Sequence, residues 1–234
     1  MTRERLVDGF RRNLVVAEGL IAHGRGEAFD YLLGERTPEP AIKAVRAAAA
    51  LLLLSKNAVL SVNGNAAALC PKEVVELAGV TGAKIEVNLF YRTDERELAI
   101  KAELERHGAR QVLGVGERAS ARIPELSSER RRVDPDGIFA ADMVFVPLED
   151  GDRAEALARM GKGVITVDLN PLSRTAKAAR ITIVDNLVRS MPALVQEARA
   201  LKGKDATTLQ QLVDNFDNDE NLAESLAIIR GGAK

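Results

Sequence analysis

The stretch VDLNPLSRTAKAARITIVDN, residues 167–186, decides how the rest of the chain is read. It has the pattern of a strand end, a polar turn, a short helix, a second apolar strand and another polar turn. A helical crossover between two strands makes them parallel neighbours, because a tight hairpin would make them antiparallel. Two strand ends therefore finish close together, at Asp168-Leu169-Asn170 and at Asp185-Asn186, with Arg174 and Lys177 between them.

The same alternation extends through the chain. Apolar runs at 58–62, 84–88, 111–115, 143–147, 163–168 and 180–184 read as six buried strands. Helical spacing predicts helices over 5–22, over 27–33 closed by Gly34, over 71–78, and from a Thr93 cap to His107-Gly108. Thr37 followed by Pro38 reads as the start of an alanine-rich helix reaching Leu54. Asp152 and Glu155 form a capping-box pattern for a helix to Met160. Gly24 and Gly26 flank Arg25, which predicts a backbone bend there, and 119–137 reads as irregular. From about 187 the pattern is two or three helices with a break near 203–205. Continuous apolar strands separated by helices predict one α/β domain over 1–234. It is Rossmann-like, a mostly parallel sheet with helices on both faces and a helical C-terminal tail.

Composition narrows the function. The 234 residues suffice for one core, with 46% hydrophobic and 29% charged residues. The net charge of −1 and the absence of Trp argue against a nucleic-acid partner. Cys70 is the only cysteine, so no intrachain disulfide forms, which fits a reducing cytoplasm. Met1-Thr2-Arg3-Glu4-Arg5 has no apolar signal core, and the apolar run at 47–54 is far shorter than the ~20 residues a membrane span needs. A cytoplasmic protein with no membrane partner is expected.

Ligands of such sheets bind beyond the carboxyl ends of the strands. Nearly every expected strand here empties into Asn, Asp, Gly and Arg. Each turn alone is explained by backbone chemistry; together they predict one polar pocket. Asn63-Gly64-Asn65 opens onto small residues and lets backbone N–H groups approach an anion, or simply makes a tight junction. No Walker loop, no GxGxxG fingerprint and no nucleophile elbow occurs. Arg25, between glycines, can fork onto phosphate oxygens, and Arg92 stands at the pocket edge after the second strand. Lys72 is an anion contact or a surface charge. Arg130-Arg131-Arg132 reads first as a solvated loop and second as a phosphate clamp. His23 and His107 read as structural. No metal cage is visible; Glu149, Asp150 and Asp152 could hold Mg²⁺ through water or cap the next helix.

Longer runs carry a family resemblance. GLIAHGRGEAFDYLLGERT, SVNGNAAALCPKEVVELA, NLFYRTDERE, VPLEDGDRAEALARMGKGVITVDLNPLSRTA and ITIVDNLVR resemble the archaeal 4-phosphopantoate–β-alanine ligases, also called phosphopantothenate synthetases. The resemblance implies a homodimeric ligase of coenzyme A biosynthesis that uses ATP with Mg²⁺. It would join 4-phosphopantoate to β-alanine through an acyl-adenylate, releasing AMP and pyrophosphate. It also implies ATP contacts at Arg3, Arg25, Asp168, Leu169, Asn170, Arg174, Thr175, Asn186 and Leu187. Arg25 and Arg174 are the candidates to offset phosphate charge during the reaction. Pocket geometry suggests Asn63, Gly64, Asn65 and Arg92 as phosphopantoate contacts. Two other readings compete. A nicotinamide or flavin oxidoreductase lacks its third glycine and acidic residue. A non-catalytic nucleotide or phosphosugar sensor would use the same turns.

Overall fold

A computed structural model describes residues 1–231. In chain order the elements are α1 (Thr2–Arg11), α2 (Ala17–Leu33), α3 (Glu39–Leu54), β1 (Ala58–Val62), α4 (Gly64–Leu69), α5 (Pro71–Thr81), β2 (Lys84–Val87) and α6 (Asp94–Arg106). There follow β3 (Ala121–Arg122), β4 (Arg132–Val133), β5 (Met143–Phe145), α7 (Gly151–Arg159), β6 (Gly163–Val167), α8 (Arg174–Ala178) and β7 (Ile181–Ile183). The tail is α9 (Leu187–Leu201), α10 (Ala206–Asp214) and α11 (Asn218–Gly231).

Five strands form one parallel sheet in the order β2-β1-β5-β6-β7. Register aligns Ile85, Leu60, Phe145, Ile165 and Ile181 in a row across it. Successive side chains point to opposite faces; one face is apolar, and the other sets apolar residues around buried Glu86, Ser61, Thr166 and Thr182. Leu60, Val62, Phe145, Ile165 and Val167 pack with α3, α5 and α9. Val59, Val144, Val146 and Val164 pack with Ala154 and Leu157 of α7 and with Ile123, Val133 and Ile138 of the excursion between β2 and β5. This is the α/β architecture that the continuous apolar runs predict. The alanine-rich α3 is buried within the chain along Ala41, Ala44, Ala47, Ala48 and Leu52. Small side chains let it lie close to α9 and β7. No helix among the described residues is long and apolar enough to cross a membrane.

Five local expectations are corrected. The run at 111–115 is not a strand but a single parallel bridge of Leu113 to Glu86. Gly114, at φ +74, turns the chain away from β2 at once; a Cβ there would sit 2.5 Å from the Val87 carbonyl oxygen. Gly24 and Gly26 do not bend the backbone, for α2 runs through both. Buried His23, Asp30 and Leu33 hold that helix, and tertiary packing overrides the ~1 kcal/mol that each interior glycine costs. Thr37 does not cap α3; Pro38 occupies the cap position and the Thr37 hydroxyl donates to Asp185 Oδ2 at 2.7 Å. The Asp152–Glu155 capping box does not form. Asp150 is the cap residue, and Glu155 is engaged by Arg174 instead. The segment at 119–137 contains a two-stranded antiparallel ribbon of β3 and β4.

Candidate functional site

The chain leaves β1 for β2 on one side and returns to β5 on the other, so the strand order reverses between β1 and β5. Ligands of open α/β sheets bind at such a point. A cavity of about 840 Å³ lies there, floored by the segments that follow β1, β2, β5 and β6 and walled by α2. Arg25, Asn63, Gly64, Asn65, Asp168, Leu169, Asn170, Arg174 and Thr175 all line it. Residues from three separate stretches of sequence are thus brought to one cavity.

The turn after β6 is held by its own polar groups. Asp168 accepts the Asn170 N–H at 2.9 Å and the Ser173 hydroxyl at 2.5 Å. Ser173 in turn caps α8, accepting the Ala176 N–H at 2.9 Å. Burial pushes the Asp168 carboxyl up from its ordinary value, against the Ser173 and Asn170 hydrogen bonds and the charge of Arg25. Thr175 donates to the Glu149 carbonyl at 2.8 Å, which ties the turn after β6 to the one after β5. Arg174 forks onto Glu155 at 2.8 and 2.7 Å in an exposed pair. That hydrogen bonding, with the charges, drives the Glu155 carboxyl down and the Arg174 guanidinium up. Arg25 is exposed on the cavity side of α2 and forms no ion pair among the described residues.

The turn after β1 is built by close approach. Asn63 caps α4, accepting the Ala66 N–H at 3.0 Å, and donates to the Pro147 and Leu148 carbonyls at 2.9 and 3.2 Å. Those two bonds hold Leu148 in the left-handed region at φ +52, an uncommon conformation for a branched side chain. Asn65 donates to the Gly19 carbonyl of α2 at 2.9 Å. Gly64 has no room for a side chain: a Cβ would strike the Leu14 carbonyl and stand 2.9 Å from Arg96 Nη2.

Four expected contacts lie elsewhere. Arg3 is exposed on α1, outside the cavity lining. Arg92 is turned inward; it pairs with Glu97 and donates to the carbonyls of Arg132, at 3.1 Å, and Gly114. Asn186 is buried beneath the site, capping α9 and donating to Asp30 Oδ2 of α2 at 2.7 Å. Leu187 is buried, and its carbonyl accepts from the Cys70 thiol. Asp185 joins this layer by accepting from Arg189, which also bridges to Asp30 at 2.5 Å. Asn186 and Leu187 therefore tie the β7 end to α2 rather than face the cavity.

Conversely, residues that the sequence reading passed over line the cavity. Arg96, to which the sequence assigns no role, is buried and donates to Leu14 O at 2.9 Å and to Tyr91 O. Arg130, read first as part of a solvated run, is buried against Glu149 and over the Phe90 ring. Its guanidinium is pushed down to about 10 by burial and by the charge of Arg153. Arg153 is fully enclosed, paired with Glu149, and likewise pushed down to about 10 by burial. Glu149 is thus consumed by two arginines; the exposed carboxylates of the cavity lining are Asp150, itself 3.6 Å from Arg130, and Glu18 of α2. His23 also faces the cavity; burial lowers its affinity for a proton despite Glu27 at 3.3 Å. No sequence signal separates Arg96 or Arg130 from ordinary surface arginines. Among the described residues no cluster of three or more His, Cys, Asp and Glu side chains could hold a metal ion.

Comparison with known proteins extends the picture. A family model described as phosphopantothenate/pantothenate synthetase matches residues 40–232. A Thermococcus kodakarensis protein named 4-phosphopantoate–beta-alanine ligase is 54% identical over 229 residues, spanning 97% of this chain and 87% of its own length. A Methanosarcina mazei protein of the same name is 51% identical over 230 residues, spanning 98% and 90%. One from Methanospirillum hungatei is 49% identical over 209 residues, spanning 89% and 84%.

Proposed function

The chain belongs to the phosphopantothenate/pantothenate synthetase family, and from that premise we propose that it is the ligase joining 4-phosphopantoate to β-alanine at the expense of ATP. The observation that carries the chemistry is the single cavity at the switch point, with a polar turn and unpaired Arg25 at its β6 side.

A carboxylate does not react with an amine until one oxygen becomes part of a leaving group. A phosphopantoate carboxylate oxygen attacks the ATP α-phosphorus, and the bond to the β-phosphate oxygen breaks, releasing pyrophosphate. The β-alanine nitrogen then attacks the acyl carbon of the adenylate. AMP departs with the bonding pair, and the nitrogen loses its proton to water or to the leaving phosphate. Both partners of the first step are anionic, so the site must neutralise charge. Arg25 stands free to do this. Arg174 joins it once a phosphate displaces Glu155, since a solvent-screened ion pair is weak. Asp168, Asn170 and Thr175 shape the turn that receives the nucleoside. Mg²⁺ would enter bound to the triphosphate and screen its charge; of the acidic turn after β5, exposed Asp150 would hold its water shell. Holding the two reactants in line can supply ~7–11 kcal/mol of the barrier.

The homodimer and the cytoplasmic setting implied by the resemblance are carried in the same proposal; sedimentation of the purified chain tests the first. The reaction is tested by incubating the protein with ATP, Mg²⁺, 4-phosphopantoate and β-alanine and following AMP and pyrophosphate. Stoichiometric AMP is expected. ADP in its place would indicate an acyl-phosphate route, and tight ATP binding without turnover would indicate a sensor.

A further inference from the structure

A second cavity, of about 300 Å³, opens between the start of α3 and the junction of α10 with α11, and it shares no lining residue with the switch-point site. Three kinds of wall meet in it. Lys43 and Arg46, three residues apart on α3 and so on one side of it, bring two exposed cations. Glu220 and Glu224 of α11 bring carboxylates, again from one side of a helix. Ala47, Leu212 and Phe216 supply apolar surface. Asn221, which also lines the cavity, is 4% exposed and donates Nδ2 to the Thr182 carbonyl of β7 at 2.9 Å. That bond takes one corner of the planar amide. The other corner, Oδ1, is enclosed and accepts no hydrogen bond. A buried acceptor without a donor costs free energy, and a donor arriving from outside recovers it. The charges beside it are loosely held. Lys43 meets Glu224 at 3.4 Å and Arg46 meets Glu197 at 3.4 Å, both open to solvent, and Glu220 has no ion-pair partner among the described residues. A ligand separates such pairs at little cost.

We propose that this cavity is a second ligand site, for an apolar α-amino acid. The ammonium donates to Asn221 Oδ1 and pairs with Glu220, the carboxylate pairs with Lys43 and Arg46, and the side chain covers Leu212 and Phe216. A simple acid would leave Asn221 without its donor, and a simple amine would leave the α3 cations unused. The cationic and anionic walls come within 3.4 Å at Lys43 and Glu224, which suits opposite charges carried on one carbon better than charges at two ends of a long chain. Helix α11 carries the occupancy to the switch-point site. Its Asn218 donates to the Ala176 and Ala179 carbonyls at 3.0 and 3.1 Å and accepts the Thr182 N–H at 2.8 Å. Its Leu222 packs with Leu169, which lines the larger cavity. A ligand that pins α11 to α3 therefore steadies the turn after β6.

Calorimetric titration of the full chain with L-leucine tests the site. Saturable one-to-one binding with a Kd below about 1 mM is expected, a strength within reach of so small a ligand. 4-Methylpentanoate, which lacks the ammonium, and 3-methylbutylamine, which lacks the carboxylate, should each bind at least ~10-fold more weakly, as loss of a charged hydrogen bond does. Arg46→Glu and Glu220→Gln change exposed side chains, so both should keep the wild-type melting temperature while weakening L-leucine about tenfold. Mg²⁺-ATP should bind about fivefold more tightly when L-leucine is saturating, a coupling of ordinary size. No saturable binding, truncated analogues that bind as well as L-leucine, or affinity unchanged in both variants would overturn the site. An ATP affinity that L-leucine leaves unaltered would overturn the link through α11. A wild type that binds L-leucine but no ATP would sink the nucleotide reading of the larger cavity and leave this site standing.

Discussion

Arg25 and Arg174 look equivalent in the sequence, yet the structure gives them opposite surroundings. Arg25 is exposed, forms no ion pair among the described residues and borders the Asp168 turn, so its removal should leave folding intact. Arg25→Ala is expected to lower turnover by at least ~10²-fold, as loss of other preorganised donors to developing charge does. The check is the initial rate of AMP release beside an unchanged melting temperature; wild-type kinetics would remove Arg25 from the site. Arg174 is held by Glu155 through two hydrogen bonds, and a phosphate must compete for it. Because the pair is exposed, that competition costs little. Glu155→Gln should free Arg174 and lower the KM for ATP about two- to fivefold, as expected for loss of a weak, solvent-screened pair. A KM that does not fall would mean that Arg174 never reaches the nucleotide.

Between the elements, the site depends on how β1 and β5 hand over to their turns. Asn63 caps α4 and donates to both carbonyls that fix Leu148 in its left-handed conformation. Asn63→Ala should therefore cost on the order of 1–3 kcal/mol in urea unfolding, one cap plus bonds to a strained turn. It should also raise the KM for the acid substrate, because the Leu148–Gly151 wall would relax. Full stability in that variant would mean that Leu148 is held by something else. The strands that frame these turns were legible in advance, since parallel strands covered on both faces are continuous apolar runs. The run at 111–115 has the same composition but ends after one bridge, because Gly114 turns sharply and periodicity carries no information about partners. The turns after β1 and β6 were legible as polar clusters, and they do meet in one cavity. Arg92 was not, because a buried Glu97 five residues on decides its direction. Arg130 was not either; nothing in three consecutive arginines tells which one a distant Glu149 will bury. Local pattern reports the backbone, whereas the fate of an arginine is set by long-range contacts.

On the scale of the molecule, one buried carboxyl ties the excursion between β2 and β5 to the sheet. Glu86 lies in β2, wholly enclosed, and accepts the Asp134 and Ile138 N–H groups at 3.0 and 2.6 Å. Gly137 passes so close that a Cβ would strike its carboxylate. Burial pushes the Glu86 carboxyl up to about 7, against those two hydrogen bonds and the charge of Arg153. The folded state thus keeps a proton that the unfolded chain releases near 4.5. Stability from this group is complete below that value and drains away as pH rises towards 7, where both states are ionised. The span of about 2.5 units corresponds to on the order of 3 kcal/mol at most. Glu86→Gln removes the titration but also sets an amide N–H against a backbone N–H, so the variant should be less stable than wild type at pH 4.5. Urea unfolding from pH 4.5 to 7.5 separates the two effects. Every other group titrates alike in both proteins, so the difference between their curves belongs to Glu86. The gap should be widest near pH 4.5 and shrink steadily up to about pH 7, then hold level. A gap independent of pH would mean that Glu86 is ionised throughout, with Arg153 and the two N–H groups outweighing its burial.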